Sequence, residues 1–288
     1  MMRILRVLAP NPGIRELEGT NTWVVGRWPA VVVDPGPDDA DHLREVVDAA
    51  GRVEAILLTH DHPDHAPGAP SLAALTGAPV LSWRSEGSGR LRDGQAVAIP
   101  GVHLRVVAAP GHTPDHVAFF GAEDGALFTG DMVLGRGTSV IDPPEGDLVA
   151  YLRSIHRMRD LEPRTIYPGH GPVILEAVAK LDGYLEHRAM REEQVLAAMR
   201  DGLATPEEMV PAIYGDYPPE VHELAARSVL AHLLKLESEG RAQKRKRDGV
   251  ARWKPSEPRT CERCGRPVKG RSRLCPSCSV AVLQERDG

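Results

Sequence analysis

Short apolar runs alternate with helical periods up to about residue 175, and Gly, Pro and Asp punctuate them. Residues 23–25 and 30–33 read as strands, the second closed by the turn Asp34-Pro35-Gly36. Leu43, Val46, Val47 and Ala50 then repeat at i, i+3, i+4 and i+7, which predicts a helix that Gly51 stops. Residues 55–59 form a continuous apolar run of strand length, suited to a strand covered on both faces. Further strands are predicted at 80–81, 104–107, 117–120, 126–128 and 165–167. Between the last two lies a helix over about 147–158, with Leu148, Tyr151, Leu152 and Ile155 on one face and Asp147 as N-cap. Strands mixed with helices in this way predict a layered α/β domain.

Beyond it the pattern turns helical. A long polar-rich helix is predicted over about 175–199 and another over about 220–239, stopped by Gly240. Between them Thr205-Pro206-Glu207-Glu208 has the spacing of a capping box with Pro at the first helical position. Residues 242–253 carry Asp248-Gly249 between two potential strands, a strong hairpin signal. Helix, turn, helix and basic hairpin together outline a winged helix. The expected domains are 1–190, 191–254 and a small cysteine-bearing module at 255–288.

Composition alone is bland: 288 residues, 42% hydrophobic, 26% charged, net charge −5. Those values exclude disordered, collagenous and membrane classes. No apolar stretch suits a signal peptide or a membrane span, so the expectation is a cytoplasmic protein with no membrane partner. Division of the chain changes the picture. Residues 1–240 hold 21 Lys and Arg against 35 Asp and Glu, a net −14, whereas 241–288 hold 14 against 5, a net +9. A basic tail on an acidic body points to a polyanionic partner.

All four cysteines fall in that tail as Cys261-x2-Cys264 and Cys275-x2-Cys278. Paired thiolates at this spacing predict one structural Zn²⁺ in a zinc ribbon. A redox pair or an iron site is the alternative.

The strand ending at Thr59 runs directly into His60-Asp61-His62-Pro63-Asp64-His65. Imidazoles and carboxylates this dense at a strand end suit divalent-metal ligation better than core packing. His112 and His170 follow later strands, each preceded by Gly, and Asp131 follows another. The ordered set resembles the metallo-β-lactamase superfamily, which implies a four-layer αββα sandwich. The resemblance implies that His60, His62 and His112 bind one zinc, Asp64, His65 and His170 a second, and that Asp131 bridges them. Two such ions hold a shared hydroxide that attacks carbonyl or phosphorus. Asp64 would orient that nucleophile and accept its proton.

Gly19-Thr20-Asn21-Thr22, the segment from Leu134 to Val140, the loop around His170, and His187-Arg188 with Arg191-Glu192 are similar to one branch, the lactamase-beta-2-type endoribonucleases. That resemblance implies cleavage of single-stranded RNA and admits a homodimer. The alternatives are a thioester hydrolase of glyoxalase II type and a nucleic-acid-binding protein with a vestigial metal site. His116 is surplus to the ligand count and is assigned to support of the ligands or of its strand rather than to proton transfer. Arg136 and Ser139 either touch a substrate phosphate or shape their loop. The run Lys244-Arg245-Lys246-Arg247, with Arg252, Trp253 and Lys254, either pairs phosphate contacts with a stacking aromatic or is a solvated hairpin.

Overall fold

A computed structural model describes residues 2–256 and 262–264. The chain divides into two compact units, with the boundary between His187 and Arg188.

The first unit is built on two five-stranded sheets. One contains β1 (Ile4–Leu8), β2 (Asn21–Gly26), β3 (Ala30–Val33), β4 (Val53–Leu57) and β5 (Val80–Leu81) in that order. Helix α1 (Ala40–Ala50) joins β3 to β4, and α2 (Gly68–Thr76) joins β4 to β5. These crossovers make both strand pairs parallel. Asp39 caps α1 by accepting from the N–H groups of Asp41 and His42, and Gly51 closes it at positive φ.

Period two explains why β2, β3 and β4 are almost wholly buried. Val24, Val32 and Ile56 face Leu43, Val46 and Leu72 of the helices. Their neighbours Trp23, Val25, Val31, Val33, Ala55 and Leu57 face the opposite way, into the core between the sheets. The second sheet meets them there with Val102, Leu104, Val106, Val117, Phe119 and Phe128.

That second sheet runs in the order β10 (Thr165–Pro168), β9 (Ala126–Gly130), β8 (Val117–Gly121), β7 (Val102–Ala108), β6 (Ala96–Ile99). Only β9 and β10 are parallel, joined by α3 (Leu148–Arg159), whose cap Asp147 accepts from Val149 N–H and Ala150 N–H. The result is the expected αββα sandwich. Edge strands β1 and β6 and the Ala-rich helix α2 are not legible in the hydrophobic pattern.

Helix α4 (Ala177–Arg200) carries the chain into the second unit, which adds α5 (Pro206–Tyr214), α6 (His222–Ser238) and the hairpin of β11 (Ala242–Arg247) and β12 (Val250–Pro255). The capping box forms: Thr205 Oγ1 accepts from Glu208 N–H, and Glu208 Oε2 accepts from Thr205 N–H. Asp248 and Gly249 both take positive φ, as a two-residue hairpin turn of type I′ requires. Val195, Met199, Met209, Val229, Leu233 and Trp253 form this unit's core.

Trp253 corrects one expectation. It is buried, its Nε1 donates to Glu237 Oε2 at 3.2 Å, and Lys244 Nζ sits 5.2 Å from its ring, so it anchors the hairpin and offers no face to a base. Cys261, Cys275 and Cys278 of the expected zinc ribbon lie outside the described residues, and Cys264 is exposed in a turn. No helix among the described residues is long and apolar enough to cross a membrane.

Candidate metal centre

All seven residues singled out in the sequence lie on loops that leave the C-terminal ends of strands. The loop after β4 supplies His60, His62, Asp64 and His65, folded back by hydrogen bonds from the N–H groups of His65 and Ala66 to His62 O. His112 follows β7, Asp131 follows β9 and His170 follows β10. The glycine before His170 is required by space. A Cβ on Gly169 would stand 2.6 Å from Asp131 Oδ1 and 2.8 Å from His65 Cε1.

These side chains form two groups that share one carboxylate. His60, His62, His112 and Asp131 make the first, and Asp64, His65, Asp131 and His170 the second; in each, the candidate ligand atoms lie within 4.8 Å of one another. His112 Nε2 is 3.1 Å from His62 Nδ1 and 3.6 Å from Asp131 Oδ2. In the second group His65 Nε2 and His170 Nε2 are 3.2 Å apart. Asp64 Oδ2 lies 3.2 Å from the first of these nitrogens and 3.0 Å from the other, and Asp131 Oδ1 lies 3.3 Å from each. Asp131 thus turns Oδ2 to one group and Oδ1 to the other.

Hydrogen bonds on the far side of four of the five rings set their tautomers. Thr59 Oγ1 donates to Asp34 Oδ2 at 2.7 Å and therefore accepts from His60 Nδ1–H, leaving the His60 Nε2 lone pair directed inward. His65 Nδ1–H donates to Asp34 Oδ2, His112 Nδ1–H to Val140 O, and His170 Nδ1–H to Gly19 O. Asp34, buried and held also by Thr59 N–H, reads in the sequence only as a turn residue. The signal that could have marked it is a carboxylate closing an apolar strand beside the strand that leads into His60.

This donor set fits divalent cations. His60 Nε2 and Asp131 Oδ1 are buried and have no hydrogen-bond partner among the described residues, which is costly for polar atoms unless something else satisfies them. Imidazole and carboxylate together suit zinc, iron or manganese.

The electrostatics divide along the same line. Burial, reinforced by the neighbouring imidazoles, holds His60 and His116 well below the ordinary histidine range and lowers His112. Burial would also lower His65 and His170. Asp131 and Asp64 outweigh it, raising His65 well above that range and pushing His170 up to about 9. The reverse holds for Asp131: burial opposes its charge, but His170 and His65 keep its carboxyl well below the usual range.

His116 stacks on His60 at 4.8 Å, and its Nε2 accepts from Asp131 N–H at 3.2 Å, so it supports a ligand on either side. Ser139 is buried and donates to Asp131 O and Met132 O, which settles its alternatives in favour of loop shaping. Arg136 pairs with Glu18 at the surface.

A metal-dependent hydrolase fold is what this architecture and site define. The chain belongs to the metallo-beta-lactamase superfamily, whose family model matches residues 15–88 and 82–170, and a beta-lactamase associated winged helix domain matches 205–253. Among its relatives, an atrochrysone carboxyl ACP thioesterase of Aspergillus chevalieri is 36% identical over 87% of this chain and 86% of its own length. A beta-lactamase-like protein 2 homolog of Drosophila melanogaster is 33% identical over 83% and 89%. The crystal structure of a metallo-beta-lactamase family protein from Thermus thermophilus superposes with a TM-score of 0.72 at 25% identity, covering 88% of this chain and 98% of that one.

Proposed function

We propose that the protein is a dinuclear zinc hydrolase that cuts phosphodiester bonds of single-stranded RNA. His60, His62, His112 and Asp131 would hold one cation, and Asp64, His65, Asp131 and His170 the other. When bound, such a pair supplies Lewis acidity, making water a competent nucleophile near neutral pH and stabilising charge on the attacked and leaving oxygens. Asp64 is the most open member of the second group, and its side chain takes the proton that the nucleophile gives up. Asp131 keeps both groups in register, and His116 keeps Asp131 in place through its backbone N–H.

The observation that carries the choice of substrate is the hairpin of the second unit. Lys244, Arg245, Lys246, Arg247 and Lys254 are all exposed on it, while Arg252 is engaged by Glu208 at 2.8 Å. An exposed cationic comb of this kind suits a phosphate backbone. A thioester is the second reading, favoured by the 36% identity to a relative named as an ACP thioesterase.

The purified full-length chain assayed in parallel on single-stranded RNA and on S-lactoylglutathione separates the two. RNA fragments that disappear with chelator are expected. Turnover of the thioester with intact RNA would overturn the nuclease reading and leave the hydrolase reading standing.

A further inference from the structure

Beyond Gly19 O, which accepts from His170 Nδ1–H, the segment Gly19-Thr20-Asn21-Thr22 has no part in the chemistry above, yet its hydrogen bonds converge on the second metal group. We infer that Asn21 is a positioning residue for His170, and that it selectively holds the second of the two cation sites. The inference rests on the metal reading of the centre and is independent of which ester is cut.

Asn21 is fully buried at the start of β2. Its Nδ2 donates to Pro168 O at 2.9 Å and to Gly171 O at 2.8 Å, carbonyls on either side of His170. Its backbone N–H donates to Gly169 O at 2.7 Å. Three bonds from one residue therefore bracket a four-residue loop, and Trp23 Nε1 adds a fourth to Pro168 O at 3.0 Å. Two positions earlier, Gly19 O receives His170 Nδ1–H at 3.2 Å and so keeps the Nε2 lone pair turned toward Asp64 and Asp131.

The unused half of the amide indicates why it is there. Asn21 Oδ1 is buried with no hydrogen-bond partner among the described residues. Both neighbours of Nδ2 are carbonyls, so exchanging the amide's oxygen and nitrogen would be worse. Asn is also a poor strand residue. A side chain retained despite an unsatisfied acceptor and a low strand propensity is retained for its two donors.

Thr22 acts less selectively, through Asp34. Its Oγ1 donates to Asp34 O at 2.7 Å, and Asp34 Oδ2 accepts both from His65 Nδ1–H at 3.0 Å and from Thr59 Oγ1, which holds His60, so Thr22 bears on both groups. Among the described residues, no hydrogen bond of 19–22 reaches His60, His62 or His112. Disturbance of Asn21, whose side-chain hydrogen bonds are confined to the His170 loop, should therefore weaken one cation site and spare the other.

The test is titration of the metal-depleted full-length chain with Co²⁺, followed by visible absorption, on the parent, Asn21→Leu, Asn21→Ser and His170→Ala. Equivalents are read as differences from the parent, which carries the same four cysteines. Loss of an orienting partner typically costs 10–100-fold in metal affinity. In a variant that circular dichroism shows to be folded, one binding step should weaken by about that factor while the other stays unchanged. Asn21→Ser serves if Asn21→Leu does not fold. The double variant with His170→Ala should lose no more than His170→Ala alone, because Asn21 acts through that ring. An unchanged titration, an equal fall in both steps, or additive losses in the double variant would each overturn the inference. A parent chain that takes up no pair of cations would overturn the metal reading as well.

Discussion

His65 Nε2 and His170 Nε2 face each other at 3.2 Å, although one ring follows a strand of the first sheet and the other a strand of the second. Each has committed its Nδ1–H elsewhere, to Asp34 Oδ2 and to Gly19 O. Two inward lone pairs at that distance repel unless a proton or a cation lies between them. Asp64 and Asp131 supply the negative charge that makes either one welcome.

Asp131 is the residue on which both groups depend. Asp131→Ala removes the shared oxygens and several kcal/mol of charge stabilisation, so hydrolysis should fall by about a thousandfold or more. The unit should still fold, since its core between the sheets does not include Asp131. Steady-state kinetics together with circular dichroism check this, and a variant retaining full activity would refute the bridging role.

Acid should destabilise the first unit through a group remote from the metal ligands. His42 is buried on α1, where its Nε2–H donates to Pro35 O at 3.1 Å and Thr22 Oγ1 at 3.0 Å, while Nδ1 has no partner among the described residues. Burial lowers its pKa from the ordinary 6.5, although the Pro35 carbonyl and the charges of Asp39 and Glu45 oppose the shift. The unfolded chain then binds more protons than the folded one below about 6.5, so this contribution is flat above that pH and lost as pH falls through it. His42→Gln should be the less stable protein at pH 7.5, and the gap should narrow below 6.5 by at most about 1.4 kcal/mol per pH unit. Urea unfolding of both proteins across pH 5–8 measures it; a gap that widens in acid contradicts the assignment.

Replacing Lys244, Arg245, Lys246 and Arg247 with Ser should weaken RNA binding and flatten its dependence on salt. Each single-strand phosphate contact contributes roughly 0.7 to the slope of log affinity against log salt, so loss of all four lowers it by up to about 2.8. Fluorescence anisotropy at several salt concentrations gives both quantities. An unaltered slope would mean that the comb is merely solvated.

Trp253 should matter to folding and not to RNA. Trp253→Ala empties a core position and should cost about 3–5 kcal/mol in the second unit. Trp253→Phe, which preserves most of the packing, should bind RNA as the parent does. A tenfold loss of affinity in the Phe variant would restore the stacking role that burial argues against.

Much of this is legible in the chain because the relevant signals are local. Asp147 and Thr205 cap their helices through side chains within three residues, so capping patterns locate α3 and α5 well, and the periodicity closed by Gly51 locates α1. The residues from His60 to His65 announce ligands by their density alone. What stays hidden depends on partners far along the chain. Asp34 reads as a turn until Thr59 and His65 close on it from 25 and 31 residues away. Trp253 on an otherwise cationic strand reads as a stacking aromatic until its ring is found buried in the second unit's core with Nε1 bonded to Glu237. Edge strand β1 carries only a weak alternation because it is half exposed, and α2 has apolar residues around most of its circumference.

The placement of ligands on loops from both sheets has a consequence beyond catalysis. A cation held between His65 and His170 would clasp chain positions 105 residues apart, as a cross-link that forms and opens with the free-metal concentration. Mass action sets its strength, about 2.7 kcal/mol when free metal is a hundredfold above its dissociation constant. Metal scarcity would thus reach this protein twice, first as lost turnover and then as a shorter lifetime against proteolysis, and the melting temperature of the first unit becomes a gauge of its loading.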